Sequence, residues 1–203
     1  MTTSEGDRFL AGRLALVTGA GRDYGRAIAL ALGRAGARLV LVDLNPDAVQ
    51  ATADLAQAAG VPAEVQTVDV GHKLAVQTML YTVLDAHPQI DVLVNAAFHD
   101  PRTPALRLDE AEWNRTLDVS LKGAFLVGQT VARAMQATGG GVIVNVLRPA
   151  AQLPAVGQAA QAGLAALSDA LRAEWAPLGV RVESVLAADP EAGAAAVRQR
   201  LAA

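Results

Sequence analysis

The chain has 203 residues, a length that suits one domain. Its hydrophobic share of 52% supplies a core, but aromatics are only 3%, so packing has to come from close approach of small side chains. Net charge is -3 with acidic and basic residues interspersed, which leaves no basic tract for nucleic acid, and the lack of cysteine excludes disulfides and thiol chemistry. No apolar run approaches the roughly 18–20 residues of a membrane span. Residues 1–7 are polar and lack the charged-then-apolar order of a leader, so a cytoplasmic protein is expected.

Apolar runs of strand length alternate with helical patterns, at Leu14–Thr18, Arg38–Asp43, 63–70, 91–97, Gly141–Leu147 and Val180–Leu186. They are near-continuous Val, Leu and Ile runs, which suits parallel strands buried on both faces. The spacing predicts crossover helices over 22–35, 46–59, 72–87, 109–137 and 158–176, with a short last helix within 189–203. Asn45-Pro46 reads as an N-cap with proline at the first helical position, and Gly36 and Gly60 fall where helix C-caps are needed. His72 and His87 sit at helix ends and read as caps. The pattern predicts an α/β fold, a Rossmann-like doubly wound parallel sheet of about six strands in the order 3-2-1-4-5-6, as a single domain over 1–203.

The first strand runs straight into glycines, Leu14-Ala-Leu-Val-Thr-Gly-Ala-Gly21-Arg-Asp-Tyr-Gly25-Arg-Ala-Ile-Ala29. Gly19, Gly21 and Gly25 let the backbone turn tightly and approach a pyrophosphate, whose charge the following helix N-terminus stabilises. Asp43, about twenty residues on, stands where a carboxylate accepts ribose hydroxyls and disfavours NADP. Asp69-Val70 ends the third strand and Asn95-Ala-Ala97 the fourth. With these segments, Asp118-Val-Ser120-Leu-Lys-Gly-Ala-Phe125, Gly141-Val-Ile-Val-Asn-Val146 and the run from Gln161 to Val182, the sequence resembles the short-chain dehydrogenase/reductase family over residues 14–185.

That resemblance implies a proton relay. In the family a Tyr, its pKa lowered by a Lys four residues later, handles the hydroxyl proton, while a Ser orients substrate and an Asn supports the relay. In register, the Asn, Ser, Tyr and Lys positions read Ser120, Arg148, Gly157 and Gln161. The only tyrosines, Tyr24 and Tyr81, are not followed at four residues by lysine. No catalytic residue is therefore expected, which removes an acid–base contribution of about 10²–10⁴ in rate. The loop from Arg148 to Gly157 looks shorter than in active relatives, Ala187-Ala188 replaces a Pro-Gly turn, and the seventh strand and substrate lid are expected to be missing.

The glycine pattern departs as well. Asp23 replaces the family's middle glycine, Tyr24 a smaller aliphatic, and Phe98 the glycine after strand four. A carboxylate about 4 Å from a diphosphate costs on the order of 4 kcal/mol at an effective dielectric near 20, roughly three decades of affinity. Arg22 and Arg26 offset part of this. Gly19, Gly21, Gly25, Asp43, Asp69 and Asn95 are thus expected to form a vestigial site, with no cofactor held by this chain.

Two clusters invite other chemistry. Arg148 is expected either to fill the vacated nicotinamide space by pairing with a carboxylate, Asp23 being one candidate, or to lie on the surface. His99-Asp100 reads as a base with its orienter, with Arg102 or Arg148 to hold an anion, or as a solvated loop. No His, Asp or Glu cluster has metal-ligand spacing.

Helical spacing places Leu164, Leu167, Leu171 and Trp175 on a core stripe, and Ala159, Ala162, Ala166, Ala170 and Ala173 on a second stripe of small residues. The preceding helix carries Leu121, Ala124, Phe125, Gly128, Val131, Ala132 and Met135. The resemblance implies that these two helices pair across a dimer axis, with Phe125, Gly128, Ala132, Ala159, Ala162, Ala166 and Ala170 at the interface; alternatively the alanines reflect helix propensity alone. Three functions stay open. One is a non-catalytic subunit paired with an active NAD-dependent dehydrogenase, NAD being held by the partner. The family includes such mixed complexes, the one acting on a hydroxyacyl-CoA in anaerobic toluene degradation among them. The second is a nucleotide sensor using the Asp43 half-site, and the third an enzyme with relocated chemistry.

Overall fold

A computed structural model describes residues 8–203, so the polar stretch 1–7, read above as no leader, lies outside the described residues. Strands β1 (Leu14–Thr18), β2 (Arg38–Asp43), β3 (Ala63–Thr67), β4 (Val92–Asn95), β5 (Gly141–Leu147) and β6 (Val180–Leu186) form one parallel sheet in the order β3-β2-β1-β4-β5-β6, the order expected. Helices α1 (Asp23–Arg34), α2 (Pro46–Ala58) and α7 (Pro190–Ala202) cover one face. The other face is covered by α3 (Lys73–Ala86), α5 (Ala124–Ala137) and α6 (Ala155–Trp175), with α4 (Glu110–Leu117) leading into α5.

Burial follows the sequence closely. Ala15, Val17, Leu39 and Leu41 point to the α1 side, and Leu16, Val40, Leu93 and Ile143 to the α6 side. Each large side chain buried this way contributes about 1.5–3 kcal/mol relative to exposure. Buried alanines, among them Ala29, Ala35, Ala37, Ala53 and Ala56, bring α1 and α2 close onto the sheet, as the shortage of aromatics demands. Asn45 caps α2 by accepting from Ala48 N–H at 3.0 Å, and Gly36 and Gly60 take positive φ just past α1 and α2 as expected.

Several boundaries differ from expectation. β3 stops at Thr67 because the chain turns at Asp69, whose side chain accepts the Gly71 N–H at 2.9 Å. β4 covers only 92–95, since Thr18 Oγ1 takes the N–H groups of Ala96 and Ala97, at 3.2 and 3.3 Å, out of the ladder. The helix expected over 109–137 widens into a π-helical turn at Asp118–Gly123, between α4 and α5. α6 starts at Ala155 rather than 158, with extended Pro154 fixing its entry. His72 and His87 occupy the N-cap and C-cap positions of α3 as expected, but their rings turn elsewhere: the His72 ring makes no capping hydrogen bond and lies 3.5 Å from Asp69, and His87 is buried with Nε2 2.9 Å from Glu64.

Among the described residues β3 and β6 are the sheet edges. The β6 edge is blunted by charge: Arg172 Nε on α6 donates to Val182 O at 2.9 Å, and Glu183 lies within 4.0 Å of Arg172, Arg181 and Arg200. Among the described residues, no helix is long and apolar enough to cross a membrane.

Candidate functional site

The carboxyl ends of β1 and β4 meet where the strand order reverses, the place where open α/β sheets hold ligands. Gly19 leaves β1 with φ +67, and a Cβ on Gly25 would come 2.0 Å from Gly19 O, so only glycine lets α1 approach the strand this closely. Asp43 at the end of β2 accepts the Gly21 N–H at 2.8 Å and the Asn45 N–H at 3.0 Å. Beneath the loop, Arg26 donates to Thr52 Oγ1 at 3.0 Å and to Gly21 O. The glycine loop is thus braced by the chain's own side chains.

Over β1–β3 a cavity of about 380 Å³ opens, lined by Asp43, Leu44, Asp69, Val70, Ala97 and Arg115 among others. Arg115 Nη1 donates to Asp69 Oδ2 at 2.7 Å. Burial pushes the Asp69 carboxyl up, but the hydrogen bonds from Arg115 and Gly71 and the charges of Arg115 and His72 outweigh it and hold it below the usual carboxylate range. The carboxylates in this lining can accept the hydroxyls of a nucleoside, and Leu44, Val68 and Val70 can cover its faces.

Asp23 stands between this cavity and the next cleft and lines both. It is the only described non-glycine residue with positive φ, at +45. Its side chain is 56% exposed, with Arg22 Nε 3.8 Å away.

Over β4–β6 the expected relay positions carry no titrating relay. Ser120, in the π-helical turn and 2% exposed, accepts the His99 N–H at 2.9 Å. Gln161, 9% exposed, accepts the Arg148 N–H through Oε1 at 2.9 Å. Gly157 lies buried in the first turn of α6, where a Cβ would meet Leu153 Cβ at 3.3 Å.

Arg148 fills the cleft, but its partner is Asp100 and not Asp23. Nη1 lies 3.2 Å from Asp100 Oδ2, while Nε and Nη1 have no hydrogen-bond partner among the described residues. We take the 3.2 Å approach as a charge contact off hydrogen-bond geometry. The guanidinium sits 4.4 Å from the Phe98 ring centroid and 5.8 Å from that of Tyr24, and the two rings meet edge to face at 6.0 Å. Asp23 has a left-handed backbone and a side chain 56% exposed, while Asp100 is on the loop that carries Phe98. With Asp100 beside Arg148, the alternative in which Asp100 orients His99 as a base loses its orienting carboxylate. Around these groups lies a cleft of about 460 Å³, lined by Arg22, Asp23, Tyr24, Arg102, Arg148 and Pro190 among others.

Two features escaped the sequence reading. Asn95 Nδ2 donates to Asn145 Oδ1 at 2.9 Å, and Asn145 Nδ2 to Ser168 Oγ at 2.9 Å, a buried ladder joining β4, β5 and α6. Register pairs Asn95 with Asn145 directly, so two asparagines at neighbouring strand ends were the available signal. The second is Tyr24, whose hydroxyl reaches Ala188 O at 3.3 Å, an oxygen that also accepts Gln152 Nε2 at 3.1 Å.

The helix faces divide. Ala159, Ala162, Ala166, Ala170 and Ala173 are exposed on α6, opposite buried Leu164, Leu171 and Trp175 and half-buried Leu167. Phe125 is half-buried, but Gly128 and Ala132, expected at an interface, are buried in this chain's own core. The nearest atoms to a Cβ on Gly128 belong to Asn95 and Trp175, because this turn of α5 faces the sheet and α6. Among the described residues no three His, Asp or Glu side chains are grouped to hold a metal.

Residues 13–196 match the profile of the short chain dehydrogenase family. D-threitol dehydrogenase of Mycolicibacterium smegmatis is 38% identical over 183 residues, 87% of this chain and 69% of that protein. The (2S)-[(R)-hydroxy(phenyl)methyl]succinyl-CoA dehydrogenase subunit BbsD of Thauera aromatica is 36% identical over 85% of this chain and 71% of its own length. Among solved structures, a metagenomic short-chain oxidoreductase in complex with NADP superposes with a TM-score of 0.89 at 33% identity, covering 95% of this chain and 92% of that one. The chain belongs to the short-chain dehydrogenase/reductase family of oxidoreductases.

Proposed function

We propose that this chain is a non-catalytic subunit that pairs with an active NAD-dependent short-chain dehydrogenase and supports its assembly or its site. The observation that carries the reading is the state of the relay positions. Gln161 holds a backbone amide where the family's lysine stands, Gly157 offers no proton carrier, and Ser120 is bound to the His99 amide. A hydride transfer to or from a carbinol carbon needs a group that takes or gives the hydroxyl proton, and nothing at these positions does so.

The nicotinamide dinucleotide that the family uses fits this chain in part. Asp43, Asp69 and the cavity beside them suit the adenosine side. The remainder does not fit, because Asp23 puts a carboxylate in the diphosphate's path and Arg148 stands in the cleft beyond it. Partnership is supported by the exposed alanine stripe of α6, which is flanked by Asp169 and Glu174 and whose small side chains permit close helix–helix approach. The relative BbsD is itself named as a subunit of a succinyl-CoA dehydrogenase, and the Mycolicibacterium relative as a dehydrogenase, which supports a dehydrogenase as the partner. The test is the native mass and composition of the complex isolated through a tag on this chain in its source cell. A mixed oligomer whose other chain is a dehydrogenase with an intact Tyr and Lys, and whose turnover falls when this chain is removed, is the expected result. A homo-oligomer alone overturns the reading. A second reading, a nucleotide sensor, rests on the cavity over β1–β3; calorimetric titration with adenosine and with NAD⁺ tests it, saturable heat being required.

A further inference from the structure

Loops after β1, β4, β5 and β6 converge over the right half of the sheet, and they are joined there by this chain's own groups. Arg148, from the loop after β5, has a side chain only 11% exposed. Its guanidinium lies over Phe98 and beside Asp100, both after β4, and within 5.8 Å of the Tyr24 ring centroid, at the start of α1. Its own backbone is fixed by Gln161 from α6. Tyr24 then reaches the fourth loop through Ala188 O, which Gln152 also meets. One planar cation therefore touches two loops besides its own, and a ring in contact with it touches the last.

We propose that Arg148 is a built-in substitute for the cofactor: a positioning residue that organises the loops after β1, β4 and β5 in the absence of any dinucleotide. The proposal rests on the reading above that the nicotinamide end holds no cofactor. An oxidised nicotinamide is also a flat, delocalised cation, and a guanidinium is the side chain that shares both properties. Lysine shares only the charge. Since Nε and Nη1 make no hydrogen bond among the described residues, ring contact and the Asp100 charge hold the group. The substitute thus requires both planarity and charge.

Hydrogen–deuterium exchange on the full chain tests this, using wild type, Arg148→Met and Arg148→Lys, each with and without millimolar NAD⁺. The expected wild-type result is slow exchange over 96–102 and 147–154 that NAD⁺ leaves unchanged. Arg148→Met is expected to speed exchange there by about tenfold while β1–β3 stays as it was, and Arg148→Lys to recover only part of the protection. Unchanged exchange in Arg148→Met overturns the substitute role and leaves the non-catalytic reading standing. Protection of the wild-type loops by NAD⁺ overturns the substitute role together with the empty nicotinamide end it rests on, since a dinucleotide would then organise them, while the missing relay is read separately from turnover. Phe98→Leu, which removes the stack from the other side, repeats the test should Arg148→Met fold poorly.

Discussion

Over β1, β2 and β3 the carboxyl edge opens into a cavity of about 380 Å³ with Asp23, Asp43 and Asp69 in its wall, whereas over β4, β5 and β6 the cleft of about 460 Å³ holds Arg148 between Phe98, Tyr24 and Asp100. The left half resembles a site kept ready for a ligand; in the right half the chain's own cation stands in the cleft. The difference lies in what each loop's polar groups do. On the left, Asp43 braces the glycine loop through two backbone amides and still lines the cavity. On the right, Ser120 and Gln161 hold backbone amides too, but in positions where the family uses a relay. A fold can therefore keep its architecture while half of its ligand edge becomes internal structure.

The largest expected effect falls on the right half. Asn145→Ala removes the middle of the Asn95–Asn145–Ser168 ladder and leaves two buried partners, each at about 1–3 kcal/mol, so a loss of roughly 3 kcal/mol is expected by urea unfolding. A loss below about 1 kcal/mol would mean that the ladder is not what joins β4, β5 and α6. Next comes the double variant Gly157→Tyr/Gln161→Lys, which restores the family's relay residues. It is expected to show no NAD-dependent oxidation of secondary alcohols, because Asp23 and Arg148 still stand in the cleft. It should also lose about 1–3 kcal/mol, since lysine cannot accept the Arg148 N–H. Turnover above background would show that the right half is only idle, and the contrast between the halves would collapse.

Much of this was legible in the sequence, for identifiable reasons. Strand order followed from apolar runs alternating with crossover helices, and Gly19, Gly25 and Asp43 marked the left half because their spacing is tied to a backbone geometry. The reading of Ser120, Arg148, Gly157 and Gln161 as relay positions rests on the same kind of anchoring, each lying in or beside a strand or helix. Side-chain partners were not. Arg148 could be placed in the cleft, yet its pairing with Asp100 depends on where the loop after β4 carries Phe98. The π-helical turn at Asp118–Gly123 leaves hydrophobic spacing on either side intact, so periodicity gave one unbroken helix. Gly128 and Ala132 were misplaced because small residues serve equally well at a subunit interface and under a packed Trp175.

A smaller effect probes the left half by pH. The folded Asp69 carboxyl titrates below its unfolded value of about 3.9. Its contribution is therefore complete above that pH and is lost as pH falls through the folded value. Asp69→Asn should accordingly lower the melting temperature at pH 7, and the gap to wild type should narrow as the pH drops below about 4. A gap independent of pH would assign the loss to packing rather than to the Arg115 ion pair.

The smallest expected effect sits on the boundary between the halves, and its sign is the informative part. Asp23 holds a left-handed backbone that glycine adopts without penalty, so Asp23→Gly should stabilise the free protein by about 1 kcal/mol. For a domain of this size that raises Tm by roughly 2–4 °C, readable by calorimetry. The side chain is 56% exposed and, among the described residues, its one ion pair is with Arg22 at 3.8 Å, a contact too open to offset the strain. On the function proposed above, a residue that strains its own backbone at the mouth of the ligand edge serves to keep a diphosphate out. If Asp23→Gly instead destabilises the protein, the carboxylate has a structural partner at this boundary, and exclusion of a diphosphate is not its purpose.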